Sequence, residues 1–77
     1  MLHKNRVVYS FKTTTEAMKM EKICQSFNAP GGIIPLPGSI AAGCGLAWAV
    51  DEDDALITDI IIKEHNITVN SRTAIYL

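Results

Sequence analysis

From Arg6 to Phe11 the side chains alternate: Val7, Tyr9 and Phe11 fall on one side of an extended chain, Val8 and Ser10 on the other. That period of two predicts a strand with one buried face. Thr13-Thr14-Thr15-Glu16 then predicts a helix start, with a threonine accepting from a first-turn amide and Glu16 reaching back to the amide of Thr13. Ala17, Met20, Cys24 and Phe27 recur at helical spacing, with Lys19 and Lys22 left to face water, so the helix should run to about Phe27. Asn28-Ala29-Pro30-Gly31 stops it.

Gly32 to Leu36 predicts a short strand, and Pro35, which has no amide to donate to a ladder, places it at a sheet edge. Leu46 to Val50 predicts another, with Leu46, Trp48 and Val50 on a bulky face and Ala47 and Ala49 on a smooth one. Trp48 reads as a core anchor. Asp51 to Asp54 lead into Ala55, Leu56, Ile57, Ile60 and Ile61, an expected helical stripe. A last strand is expected from near Ile67, with Ile67, Val69, Thr73, Ile75 and Leu77 on one face and Asn70, Arg72 and Tyr76 on the other.

The order β-α-β-β-α-β builds most simply into an α+β two-layer ferredoxin-like sandwich, an antiparallel sheet with both helices on one face. Residues 1–77 are expected to form a single domain. The first two strands would run parallel. The loop after the second strand would then emerge beside the start of the first helix. The helix-free face, with Val8, Ser10, Ala47 and Ala49, would be flat and small enough to pair with a second copy. A homodimer is therefore an expectation for so short a chain.

Composition narrows the function classes. The chain has 77 residues, 48% of them hydrophobic, enough for a thin core. Seven basic and eight acidic residues leave a net charge of −1, which favours neither nucleic acid nor an anionic membrane as partner. Residues 29–50 carry no charge, but three prolines and five glycines within them argue against a membrane helix. Two cysteines are too few for a disulfide framework, and no secretory signal is read ahead of them, so a reducing cytoplasm is expected. Asn66-Ile67-Thr68 matches a glycosylation sequon that has little meaning without secretion.

Candidate chemistry concentrates in Gly38-Ser39-Ile40-Ala41-Ala42-Gly43-Cys44-Gly45, where a cysteine lies between two glycines. Glycine has no Cβ and lets another molecule come close to the backbone. If the topology is as expected, Cys44 approaches the amides of Thr14, Thr15 and Glu16, whose partial positive charge would favour a thiolate. Cys24, on the apolar side of a helix, reads as a buried small hydrophobe. Asp51 to Asp54 read as a helix start rather than a metal site. His65 reads as a cation at a helix end rather than a catalytic base. No cofactor is implied: two cysteines fit neither zinc nor iron–sulfur spacing, and there is no Cys-x-x-Cys pair.

Three segments together carry a family resemblance over nearly the whole chain. Tyr9 to Phe11 leads into the threonine-rich helix start, Ile34-Pro35-Leu36-Pro37 follows, and Ser39 to Ala47 contains the Cys44-Gly45 pair. In these the chain resembles a family of small bacterial proteins described as selenium/sulfur carrier-like. The resemblance implies a ferredoxin-like domain whose loop cysteine, matching Cys44, carries sulfur or selenium as a persulfide or selenosulfide. It also implies donor and acceptor proteins as partners. Family members often carry a basic residue after the second proline; here Gly38 stands in that place, so no help in holding an anion is expected from it.

Two function classes follow. In one, Cys44 is a carrier thiol served by Gly43, Gly45, Ser39, Thr14 and Thr15, in an accessory protein rather than a stand-alone enzyme. In the other, the chain is a non-enzymatic module that binds a small ligand or a protein, and Cys44 is structural. A hydrolase or redox enzyme fits less well, because no base with its own orienting partner accompanies the cysteine.

Overall fold

The computed structural model describes residues 3–40 and 43–77. Four strands and two helices follow one another as β1 (Asn5–Ser10), α1 (Thr14–Ser26), β2 (Gly32–Pro35), β3 (Leu46–Asp51), α2 (Ala55–Glu64) and β4 (Ser71–Tyr76), with a 3-10 turn, Glu52–Asp54, ahead of α2. The strands form one sheet in the order β2-β3-β1-β4. Every neighbouring pair is antiparallel. Pro35 therefore sits on an edge strand, where its missing amide costs no ladder bond.

Alternation along β1 and β3 divides the apolar residues between two faces. Val7, Tyr9, Phe11, Trp48 and Val50 join Ala17, Met20 and Cys24 of α1 and Ala55 and Ile61 of α2 in the main core, so both helices cover the same face. Trp48 is the expected anchor, buried within that core. On the other face Val8, Ala47 and Ala49 are buried beneath Ile34, Leu36, Ile40, Ile75 and Leu77. That face is not the flat open surface expected from Val8, Ser10, Ala47 and Ala49. All four are buried within the monomer, because longer side chains on the flanking strands and the loop after β2 close over them.

The helix ends show local chemistry at work. Thr13 caps α1 by accepting from the Glu16 amide at 3.2 Å. The reciprocal half of the expected capping box is absent: Glu16 Oε1 instead accepts from the Thr68 amide at 2.9 Å, tying α1 to the segment before β4. Both helices end alike, with an asparagine in the left-handed region, Asn28 and Asn66, each at φ 52°. Ala29 N–H donates to Cys24 O at 2.8 Å and Ile67 N–H to Ile62 O at 3.0 Å, closing the last turns. Lys19 Nζ donates to Asn66 O at 3.2 Å, so a cation meets the carbonyl end of α2.

Three expected apolar patterns are corrected. Phe27 is 58% exposed, because the chain leaves the helix there and its ring packs instead against His65, with centroids 5.2 Å apart. On α2 the buried residues are Ala55, Thr58 and Ile61, while Leu56, Ile57 and Ile60 face outward. At about 100° per residue the two sets lie on opposite sides of one helix. The Thr58 hydroxyl is satisfied by Asp54 O at 2.9 Å, which lets a polar residue take the inner position. The last strand begins at Ser71, not near Ile67. Ile67 and Val69 pack on the helix side and Ile75 and Leu77 on the other, because residues 67–69 lie outside the strand and the bend at Asn70 breaks the alternation.

Candidate functional site

The loop between β2 and β3 is built from short constraints. Leu36 N–H donates to Gly45 O at 2.9 Å and closes the loop at its base, while Ile40 N–H donates to Pro37 O at 3.0 Å and forms a turn within it. Ser39 is exposed in that turn. Ala41 and Ala42, which belong to the small-residue stretch, lie outside the described residues.

Cys44 is attached to the end of β1. Its amide donates to Phe11 O at 3.0 Å. β1 and β2 both run antiparallel to β3, so they point the same way and the loop emerges where α1 begins. The two flanking glycines have distinct reasons. A Cβ on Gly43 would stand 2.5 Å from Phe11 O, so any side chain there would push the loop off β1. Gly45 has φ 88°, which L side chains rarely adopt. Both glycines thus serve the path of the backbone around Cys44.

The thiol is half-buried and lies against the edge of the main core. Its Sγ donates to Leu46 O at 3.7 Å. Thr14 and Thr15 are exposed on the first turn of α1, beyond the Thr13 cap. Among the described residues no hydrogen bond links them, Ser39 or Glu16 to the thiol; the structure brings Cys44 to the β1–α1 connection, and Phe11 is the residue that meets it. Phe11 and Leu46 contribute through their carbonyls, which any residue type carries, so no sequence signal singles them out as partners of Cys44.

Cys24 is as expected. It is 1% exposed inside the main core, and burial pushes its thiol up from the ordinary range. Among the described residues no group of three or more metal-ligating side chains comes together. The acids at Asp51 to Asp54 are spread over the end of β3 and the 3-10 turn: Asp51 pairs with Lys4 at 2.7 Å, and neither Asp51 nor Asp54 caps with its side chain. His65 is the C-terminal cap residue of α2.

Two further features have no counterpart in the expected site. Tyr9 Oη donates to Asp59 Oδ1 at 2.6 Å, and Arg72 grips the same carboxylate with Nε at 3.1 Å and an Nη at 3.0 Å. The Arg72 hydrogen bonds hold the Asp59 carboxyl below the usual range, and burial, with Asp59 adding to it, pushes the Tyr9 phenol well above its own. This cluster fastens α2 to β1 and β4. Between the C-terminal end of α1 and α2 lies an apolar groove of about 490 Å³, lined by Phe27, Ala29, Pro30, Ile57, Ile60 and His65 among others. α1 has 13 residues, about 20 Å of helix, and Cys44 lies beyond its other end, so the groove does not serve the thiol.

A family model described as "Putative Se/S carrier protein-like" matches residues 6–72. The chain belongs to this family. No curated protein and no solved structure matches it. The matched span takes in all of β1 except Asn5, the β2–β3 loop with Cys44, and Tyr9, Asp59 and Arg72. No helix among the described residues is long and apolar enough to cross a membrane.

Proposed function

We propose that the chain is a sulfur or selenium carrier in which Cys44 holds the cargo. The observation that carries the reading is Cys44 itself: a half-buried thiol on a glycine-flanked loop, its amide fastened to Phe11 O, in a chain matched to the carrier family over residues 6–72. The Cys44 thiolate attacks the terminal sulfur of a donor protein's persulfide. The donor's S–S bond breaks, and its thiolate leaves with the electron pair. A new S–S bond forms on Cys44. No net oxidation or reduction occurs, and the same exchange serves selenium. Delivery reverses the step towards an acceptor protein. The loop's bare backbone supports such protein-to-protein transfer, because Gly43 and Gly45 place no side chain beside the sulfur.

The strand order and the all-antiparallel pairing support a ferredoxin-like arrangement of one domain as the scaffold for this role. Ser39, Thr14 and Thr15 belong to the proposed site as exposed hydroxyls on the two segments that flank the thiol. A reducing cytoplasm is the proposed setting.

The test is intact-protein mass after exposure to a persulfide donor. A reducible increase of one sulfur atom in the wild type, absent from Cys44→Ser, is the expected result. A Cys44→Ser protein that takes up the same mass, or a wild type that takes up none, overturns the carrier and leaves a binding module in which Cys44 is structural.

A further inference from the structure

The helix-free face of the sheet is closed within the monomer, and the largest apolar side chains left in water lie on and beside α2. Leu56 is 72% exposed, Phe27 58%, and Ile57 and Ile60 51% each. Leu56 and Ile60 are one helical turn apart, and Ile60, Ile57 and Phe27 line the groove of about 490 Å³, so the four form one patch. At that exposure they present roughly 400 Å² of apolar surface, the size that marks an interaction site rather than scattered exposure. It is also close to the apolar half of the ~800 Å² that each partner of a stable pair buries.

The patch has two unlike halves. Leu56, toward the N-terminal end of α2, is a ridge, the most exposed of the four and not part of the groove wall. The groove runs along the C-terminal part of the helix, between Ile57, Ile60 and His65 on one side and Phe27 and Pro30 on the other. A ridge on one half and a groove on the other are complementary to the same surface turned end for end, the condition for a two-fold contact between copies. Charge points the same way. Glu52 and Asp53 are exposed at the start of the helix, and Lys63 is exposed at its end with no ion pair among the described residues. A parallel pairing sets the acidic ends against each other. An antiparallel pairing that puts Leu56 across from Ile60 of the second copy puts Asp53 across from its Lys63. Glu64, which then faces Glu52, is the like charge left at the rim.

We infer that this face binds a second copy of the chain, as an antiparallel two-fold pair of α2 helices with Leu56 of each protomer in the groove of the other. Cys44 lies beyond the far end of α1 and stays open in the pair. The inference therefore stands apart from the carrier reading, and Cys44→Ser pairs as the wild type does.

The test is sedimentation equilibrium of the full chain over a concentration series reaching about millimolar, with the mass expected to rise from one chain to two. Leu56→Glu puts a carboxylate into the apolar groove at both symmetric contacts and weakens pairing about 100-fold or more. Its circular dichroism stays that of the folded chain, because Leu56 is exposed in the monomer. Met18→Glu, the same kind of change at an exposed residue of α1 outside the groove, pairs as the wild type does. Lys63→Glu weakens pairing several-fold, and adding Asp53→Lys restores it. The two positions are about 15 Å apart along one chain, so only a contact between copies gives that rescue. A one-chain mass throughout, pairing untouched by Leu56→Glu, or a charge swap that restores nothing overturns the inference. So does a single chain that takes up the apolar dye anilinonaphthalene sulfonate in the groove, which assigns the face to a small ligand instead.

Discussion

The two cysteines carry the same thiol and stand in opposite surroundings. Cys24 lies on α1 among Ala17, Met20, Tyr9 and Trp48, closed in by the sheet and both helices. Cys44 lies half-buried on a loop with glycine on either side, its amide hydrogen-bonded to Phe11 O and its Sγ to Leu46 O. Secondary structure makes the difference. A helix that covers a sheet presents every third or fourth residue to the core, so Cys24 has no choice but to be packed. A loop closed by Leu36 and Gly45 buries its cysteine only as far as the edge of that core permits. Two thiols are therefore packed to different degrees within one small chain.

The largest effect is kinetic. Under native conditions a thiol reagent should modify Cys44 readily and Cys24 only through opening of the core, about 10³-fold or more slower for an ordinary stability. Peptide mapping of labelling time courses measures this, and comparable rates at the two sites would break the comparison. Cys24→Ser should cost about 1–3 kcal/mol in urea unfolding, because it buries a hydroxyl in an apolar site, while persulfide uptake at Cys44 persists. Cys44→Ser should reverse that pattern, with near-native stability and no uptake.

Gly43→Ala sharpens the picture, because its Cβ would meet Phe11 O at 2.5 Å. The loop must shift, at a cost of about 1–2 kcal/mol, and the Cys44 amide should exchange with solvent faster as its bond to Phe11 loosens. Unchanged exchange would mean that Gly43 does not hold the cysteine.

The smallest effect comes from pH. Asp59 has its carboxyl lowered by Arg72, so it adds stability that is present above the unfolded carboxylate range and lost as pH falls through its lower folded value. The pair is partly exposed, which limits this to under about 1 kcal/mol. Tyr9 has the opposite sign: its raised phenol contributes stability that is complete below about pH 10 and lost at higher pH. Acid unfolding of Asp59→Asn, followed by Cys24 labelling, should show a flatter acid limb; an identical limb would remove Asp59 from the account.

Local order was legible where the physics is local. The strand periods of β1 and β3, the Thr13 cap, the edge placement of Pro35 and the burial of Cys24 and Trp48 each follow from a few adjacent residues. The failures are equally specific. Of the expected stripe Ala55, Leu56, Ile57, Ile60 and Ile61, only Ala55 and Ile61 face the core; Leu56, Ile57 and Ile60 lie on the other side of the helix, and Thr58 takes the inner position. Glu16 had a local partner in the Thr13 amide and took a distant one, Thr68. The single stripe expected from Ile67 to Leu77 split across the two faces of the sheet at a turn that its apolar pattern did not mark.

By itself the sequence determined that there would be strands and helices in this order, that one cysteine would be packed, and that the other would stand between glycines, because propensity, period and the absence of a Cβ are properties of neighbouring residues. Only the tertiary structure decided that Gly43 must be bare to clear Phe11 O, that Arg72 and Tyr9 would share Asp59, and that Asp51 would pair with Lys4. Those outcomes depend on which distant groups the strand register and the connecting loops bring together.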